Sequence, residues 1–574
     1  MIGRRRLGTS VFVLALATVG FNCSIVVDSE TAQCDTTADC TKRGPAFANA
    51  TCNTSSHYCV TSGGQVGGDC KKNQDCLDAH PGEPWTCRKS DLTCAKLTSA
   101  ECPAYLADPA DLANDNAIIL GTILDRTGTA GPIGQAMEVA FNFARQDFRD
   151  AVSGLPPLTS GGGRRPLVLV NCDENAAAPA NSDPVKAANH LVNDLKVPAI
   201  LGGFYSSTTI KVAQNVTIPQ HVLLVTPAST SPLVTSLPSA DPRLVWRMVP
   251  SDIIQGQVVP AVTRNMEATL KTEVGLQSTD KIKVAIVHRG DAAGSAIAQV
   301  VIDNLEFNGA RATAEGNRNY FKEYNYGDPL ADPGGSEAKY TQFATEMYST
   351  FQPHIVITAG STAEVVTKIM KPIENPDNWK QPGCGPTANK CYRPRYLLAN
   401  SNFQAQSLLD LVGSNADLRH RVLGHVAQTE GTNLEKLKLR YNGAGASVPF
   451  VPLVPFAYDA VYFTAFGIAA ASESPLTGSA IAKAFPKILP PNNVSIDVGL
   501  NKIPDALNTL AGGGGIDFNG ASGLLDFDTK TGDAPCDIQV WCINSNSSGF
   551  NNSGYYYNAK AGSMQGAIDT GKCP

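Results

Sequence analysis

AIILGTILDRTGTAGPIGQAMEVAFNFARQDF, residues 117–148, is the stretch whose reading decides the fold. It opens on a continuous apolar run, Ala117–Leu124, the pattern of a strand buried on both faces. A glycine-rich turn follows between Gly128 and Gly134. Beyond it Ile133, Met137, Ala140, Phe141, Ala144 and Phe148 recur at helical spacing, with Glu138, Arg145 and Asp147 between them. Strand, turn and helix in that order open a doubly wound parallel sheet.

The alternation continues outward. PLVLVN (Pro166–Asn171), PAILGG (Pro198–Gly203) and HVLLVT (His221–Thr226) read as strands, with helices over Pro184–Leu195 and Ser206–Asn215. A second run follows: a helix near Ile253–Leu270, the strand KVAIVH (Lys283–His288), a helix over Ala293–Asn308, and the strands HIVITAG (His354–Gly360) and YLLAN (Tyr396–Asn400). Two consecutive α/β units predict two lobes with a crevice between them. Ligands of such sheets bind beyond the carboxyl ends of the strands, where helix N-termini present free N–H groups. Segments 317–340 and 375–394 are rich in Gly, Pro and polar residues and read as loops.

From about Asn116 to Tyr557 the chain resembles the type 1 periplasmic binding proteins of the leucine/isoleucine/valine-binding, receptor ligand-binding-region group. GTILDRTGTAGPIGQAMEVAFNFA is similar to that family's first strand, turn and helix. LGGFYSSTTIKVAQ and IPQHVLLVTPASTSPLV are similar to its two ligand-facing loops, and WRMVPSD to the first crossing between lobes. FAYDAVYFTAFGIAAA resembles the helix near the second crossing, and GLLDFDTKTGDAP the hairpin before the third. The resemblance implies two Rossmann-like lobes that close on a ligand. It puts the first lobe at 116–248 with 455–520 and the second at 249–454 with 521–560.

In amino-acid-binding relatives one lobe grips the ligand's carboxylate through Ser/Thr hydroxyls and backbone N–H groups. Here that implies Ser206, Ser207, Ala228, Ser229 and Thr230. The physics agrees, because hydroxyls and free N–H groups at a helix start attract an anion without a fixed positive charge. Ser206 also suits a plain helix cap. The second lobe departs from the family pattern: Ala293-Gly294 stands where relatives carry an aromatic, Ser361 and Thr362 where they carry Tyr, and Ser401 and Asn402 where an acid binds an ammonium. Ser361 and Asp291 are the second-lobe candidates, with Asp291 read alternatively as a solvated loop acid.

Toward the N-terminus, Arg4, Arg5 and Arg6 precede an apolar stretch from Leu7 to Gly20, which reads as a secretory signal over 1–22. Cys23 stands where a bacterial lipoprotein carries its lipid, although Phe21 and Asn22 depart from the usual lipobox; ordinary cleavage nearby is the alternative. Residues 23–33 would be a tether. No later segment offers about 18 uninterrupted apolar residues, so membrane attachment would come only through the lipid.

Eight of the 16 cysteines form a repeat: Cys34, Cys40, Cys52 and Cys59 within 34–60, then Cys70, Cys76, Cys87 and Cys94 within 70–95. Units this small need cross-links, and disulfides fit better than zinc because close CxxC pairs are absent. Four cysteines per unit leave three pairings open. Of the rest, Cys384/Cys391 and Cys536/Cys542 are spaced to staple local loops, Cys102 and Cys573 to tie the ends of the main domain, and Cys172 is left over.

HExxH, GxSxG and P-loop motifs are absent, and the eight His residues are scattered. No catalytic residue, metal ligand or cofactor is expected. The net charge of -6, without a basic patch, argues against nucleic acid. The expected partner is a small polar, carboxylate-bearing molecule. The expected role is solute capture for an ABC permease; a ligand sensor signalling to another protein and a surface interaction protein acting through the Cys-rich repeat are the alternatives.

Overall fold

The computed structural model describes residues 34–42, 50–54, 58–61, 69–128, 130–158, 161–175, 183–238, 241–329, 331–360, 364–381, 391–403, 405–471, 475–491 and 494–573. The signal, tether and Cys23 expectations lie outside them. The chain divides into two compact units, residues 1–68 and 69–574.

The first unit holds the helix Thr37–Thr41 and the hairpin Ala50–Asn53/Tyr58–Thr61, with disulfides Cys34–Cys52 and Cys40–Cys59. The second unit begins with the other copy: helix Asn73–Ala79, hairpin Trp85–Cys87/Cys94–Lys96, and disulfides Cys70–Cys87 and Cys76–Cys94. Of the three pairings left open by sequence, both copies use first-to-third and second-to-fourth.

Two sheets follow. The first runs Val245–Arg247, Leu223–Thr226, Ala199–Gly202, Ile118–Leu124 and Leu167–Asp173, all parallel, with Ala104–Leu106 antiparallel at the edge. The second runs Phe321–Asn325, Val284–His288, Ile355–Ala359, Arg395–Leu398 and Val422–Ala427 in parallel, then Ile538–Ile543, Phe550–Asn558 and Ser563–Gly566 antiparallel. Each sheet is covered on both faces by helices, as continuous apolar strands require. Val454–Ala471 has the length and composition of a membrane span but is a core helix, 89% buried, packed against Gly131–Val152.

The chain crosses between the lobes three times, near 248–251, 428–431 and 534–537. The crossings are knitted together: Arg247 N–H donates to Gly532 O (2.9 Å) and Gln428 N–H to Asp537 O (2.7 Å). The helix Thr432–Gly443 sends Leu437 and Tyr441 into the first lobe's core, and Ala521, Leu525, Phe527 and Ala534 pack there too. The family resemblance assigns both segments to the second lobe. Apolar contact, not chain order, sets the boundary.

Two other expectations change. Segment 317–340 is no loop: it supplies the sheet strand Phe321–Asn325 and the start of the helix Pro333–Glu346. Among the described residues Cys102 pairs with Cys172 and Cys542 with Cys573, and Cys536 is free. Ala104 lies opposite Asn171 in the first sheet, which brings Cys102 to Cys172. Cys536 and Cys542 are separated by extended chain, about 15–20 Å along the strand direction, far beyond disulfide reach. Cys391 is disulfide-bonded, and Cys384 lies outside the described residues.

Candidate functional site

A cavity of about 310 Å³ lies between the lobes at the carboxyl ends of the strands. Most of its wall is apolar: Ile133, Phe204, Val249, Ile297, Phe403, Val426, Val451, Leu453 and Phe456. A small polar set interrupts that wall, the usual composition of a small-molecule site.

The first lobe contributes Ser206, Ser207, Ala228 and Thr230 to the lining. Ser206 and Ser207 open the helix Ser206–Val212, where first-turn N–H groups lack helical partners. The Ser206 hydroxyl accepts from Ser231 N–H (3.2 Å), so its own O–H points elsewhere. Thr230 O accepts from Asp252 N–H (2.9 Å), and the Thr230 hydroxyl lies beside the Asp252 carboxyl. Ser229 is buried beneath the loop and does not line the cavity. Its hydroxyl donates to Gly203 O (3.0 Å) and lies 2.5 Å from Thr209 Oγ1. That placement corrects its candidacy: the hydroxyl holds the two loops together.

In the second lobe, Asp291 does line the cavity, but its Oδ1 caps Gly294 N–H (2.7 Å) and its Oδ2 faces Arg289 Nε (3.1 Å). It is neither solvated nor unmet. Ser361 lies outside the described residues.

Sequence reading missed the groups that make the cleft polar from behind. The Tyr205 hydroxyl donates to Asp125 (3.0 Å), and burial together with Asp125 keeps the phenol neutral. Its ring faces the Arg289 guanidinium at 5.7 Å, a cation–π contact between the lobes. Burial opposes the charge on Arg289, but Asp291 and Asp328 more than offset this and raise its pKa. Asp252 and Glu364 also line the cavity. Burial raises both carboxyls, Asp252 to about 6. Burial lowers His425 to about 4, so this third lining group is a neutral imidazole at neutral pH. The lobes touch again where the Ser231 hydroxyl donates to Ala293 O (3.5 Å). Hydroxyls, helix N–H groups and an apolar wall can bind and orient a small molecule. Among the described residues no nucleophile–base pair lines the cavity.

No family model matches the chain. It is 28% identical over 179 residues to a Leu/Ile/Val-binding protein of Citrobacter freundii, a match covering 31% of this chain and 41% of that relative. A leucine-binding protein of Thermotoga maritima superposes with a TM-score of 0.53 at 16% identity, over 78% of this chain and 100% of the other. A solute-binding protein of an ABC transporter from R. palustris, solved with 4-hydroxybenzoate, gives 0.50 at 14% identity, over 76% and 95%. The chain has the type 1 periplasmic binding protein fold, preceded by small disulfide-rich modules.

Proposed function

We propose that this chain is an extracytoplasmic solute-binding protein. It closes two lobes around a small carboxylate-bearing molecule with an apolar body, delivers it to an ABC permease, and does no chemistry on it. One observation carries the reading: a cavity of about 310 Å³ between two lobes whose first-lobe lining includes the hydroxyls of Ser206 and Ser207 at a helix start and of Thr230 on the next loop, set in apolar walls. Such a site favours a carboxylate at one end and hydrocarbon along the rest. The likeness to a Leu/Ile/Val-binding protein points the same way. The disulfides fit an oxidising compartment and therefore export. Within this reading Cys23 carries a lipid anchor.

Native mass spectrometry of gently purified protein tests the reading: a co-purifying small carboxylate is expected, and a macromolecular or carboxyl-free occupant would overturn it. Against that ligand, Ser206→Ala with Thr230→Ala should weaken calorimetric affinity by roughly 2–4 kcal/mol. Unchanged affinity removes both residues from the site.

A further inference from the structure

We propose that Asp252 and Glu364 are specificity-determining residues: each accepts a hydrogen bond from a hydroxyl or ammonium that the captured carboxylate carries in addition to its anionic end. The inference rests on the reading that the cleft takes a carboxylate, and deepens it by naming what else that ligand must bear.

Besides the neutral imidazole of His425, two kinds of acidic or basic side chain line the cavity. Arg289 and Asp291 are paired with each other as ions, although Arg289 Nε makes no hydrogen bond among the described residues. The guanidinium faces Asp291 at 3.1 Å and donates to Asp328 at 2.6 Å, while Asp291 caps a helix. Asp252 and Glu364 are not saturated. Asp252 is 7% exposed, and its Oδ2 is buried with no partner among the described residues. Its nearest guanidinium, Arg247, is already spent: it donates to Asp533 (2.9 and 2.6 Å), Ser231 O (2.7 Å) and Thr235 Oγ1 (2.6 Å). Glu364 Oε1 accepts from the Tyr340 hydroxyl at 3.5 Å, and its Oε2 is likewise buried without a partner among the described residues.

Leaving a buried carboxylate oxygen unmet carries the desolvation cost of that group. A ligand that was only an anion would add repulsion to that cost, because Asp252 sits against Thr230, one of the proposed carboxylate contacts. A donor on the ligand removes both penalties at once. Burial raises the pKa of both acids, the state expected of carboxyls awaiting a donor.

The test is calorimetry of the full chain with two probe pairs that differ by one donor: leucine against 4-methylpentanoate, and 4-hydroxybenzoate against benzoate. In at least one pair the donor-bearing acid should bind about tenfold tighter or more. Asp252→Ala and Glu364→Ala should each shrink that preference. Asp252→Asn and Glu364→Gln, which keep the side-chain size, replace them where an alanine variant does not fold. Equal binding within both pairs overturns the inference and leaves the carboxylate reading standing. A preference that neither variant alters overturns the assignment to these residues. A set in which no carboxylate binds overturns the reading itself, and the inference with it.

Discussion

Glu174→Gln should change how stability depends on pH. Glu174 follows the strand Leu167–Asp173 and is 3% exposed. Its carboxyl oxygens accept from Phe204 N–H (3.1 Å) and Tyr205 N–H (3.3 Å), the two residues that lead into Ser206. Burial, and then the neighbouring Asp125, raise its pKa from 4.5 to about 8. A carboxyl whose pKa is raised on folding binds more protons folded than unfolded, so it lowers stability as pH climbs from the unfolded value to the folded one. The window here is about pH 4.5 to 8, with a slope near 1.4 kcal/mol per pH unit that flattens above 8. Between pH 6 and 8 the wild-type chain should lose about 2 kcal/mol through this group alone. Gln cannot ionise and removes that loss. Other titrating groups are common to both proteins, so the difference between them isolates Glu174. Thermal unfolding of both proteins across pH 5–9 reads it: the melting temperature of the variant relative to wild type should rise by about 4–8 °C from pH 6 to pH 8. A difference that stays constant with pH refutes the reasoning, and with it the view that a buried carboxyl fixes the approach to the Ser206 loop.

Two further substitutions probe the frame around the site. Arg247→Ala strips the guanidinium that joins the first crossing, the Ser231 loop and Asp533 at the third, and leaves Asp533 unpaired. It should cost about 3–5 kcal/mol in thermal unfolding, and Arg247→Lys should recover only part, because an ammonium cannot reproduce the fork. Stability within about 1 kcal/mol of wild type for Arg247→Ala would count against this junction. Cys102→Ser with Cys172→Ser opens a link spanning 70 residues, worth about 4 kcal/mol by chain entropy, and melting under non-reducing conditions should fall accordingly. An unchanged transition would mean that the edge pairing of Ala104–Leu106 alone holds the segment.

The fold was legible where burial is two-sided. Ala117–Leu124 and the six-residue apolar series after it announce themselves by period, and the structure places a strand at Ile118–Leu124 and a helix at Gly131–Val152. Legibility failed where a strand is half exposed or interrupted. Phe321–Asn325 (FKEYN) is a sheet edge with polar residues facing out. Val422–Ala427 is broken by Gly424, where a Cβ would meet the Trp541 ring at 2.1 Å and Leu398 O at 2.8 Å, and by the buried His425. The site was half legible for a related reason. Ser206, Ser207, Ala228 and Thr230 follow directly from strand ends and a helix start, and all four line the cavity. Ser229 has the same chemistry as its neighbours but the opposite direction, which residue type does not encode. Tyr205, Asp252, Arg289 and Glu364 come from distant parts of the chain, and their polarity has meaning only once the lobes bring them to one wall.

The two Cys-rich copies show how one side chain changes the use of a repeated frame. Their disulfides pair identically, and Thr37 in the first copy occupies the place of Asn73 in the second. Both accept an N–H from the corresponding half-cystine: Thr37 Oγ1 from Cys52 N–H at 3.3 Å, Asn73 Oδ1 from Cys87 N–H at 2.9 Å. The module's internal bond is therefore met by either residue. Asn73 adds what a hydroxyl lacks, an NH2 that donates to Leu112 O (3.1 Å) and Asn114 O (3.0 Å), while its backbone N–H reaches Asp115 (2.7 Å). These bonds, with Arg88 donating to Asp194 O (3.1 Å) and His190 Nε2 meeting Leu97 O (3.0 Å), seat the second copy on the first lobe. A domain of about 25 residues gains little from its own core and depends on cross-links to stay folded. Once folded, the second copy's attachment is a separate matter of polar complementarity, to which the Asn73 amide contributes two hydrogen bonds.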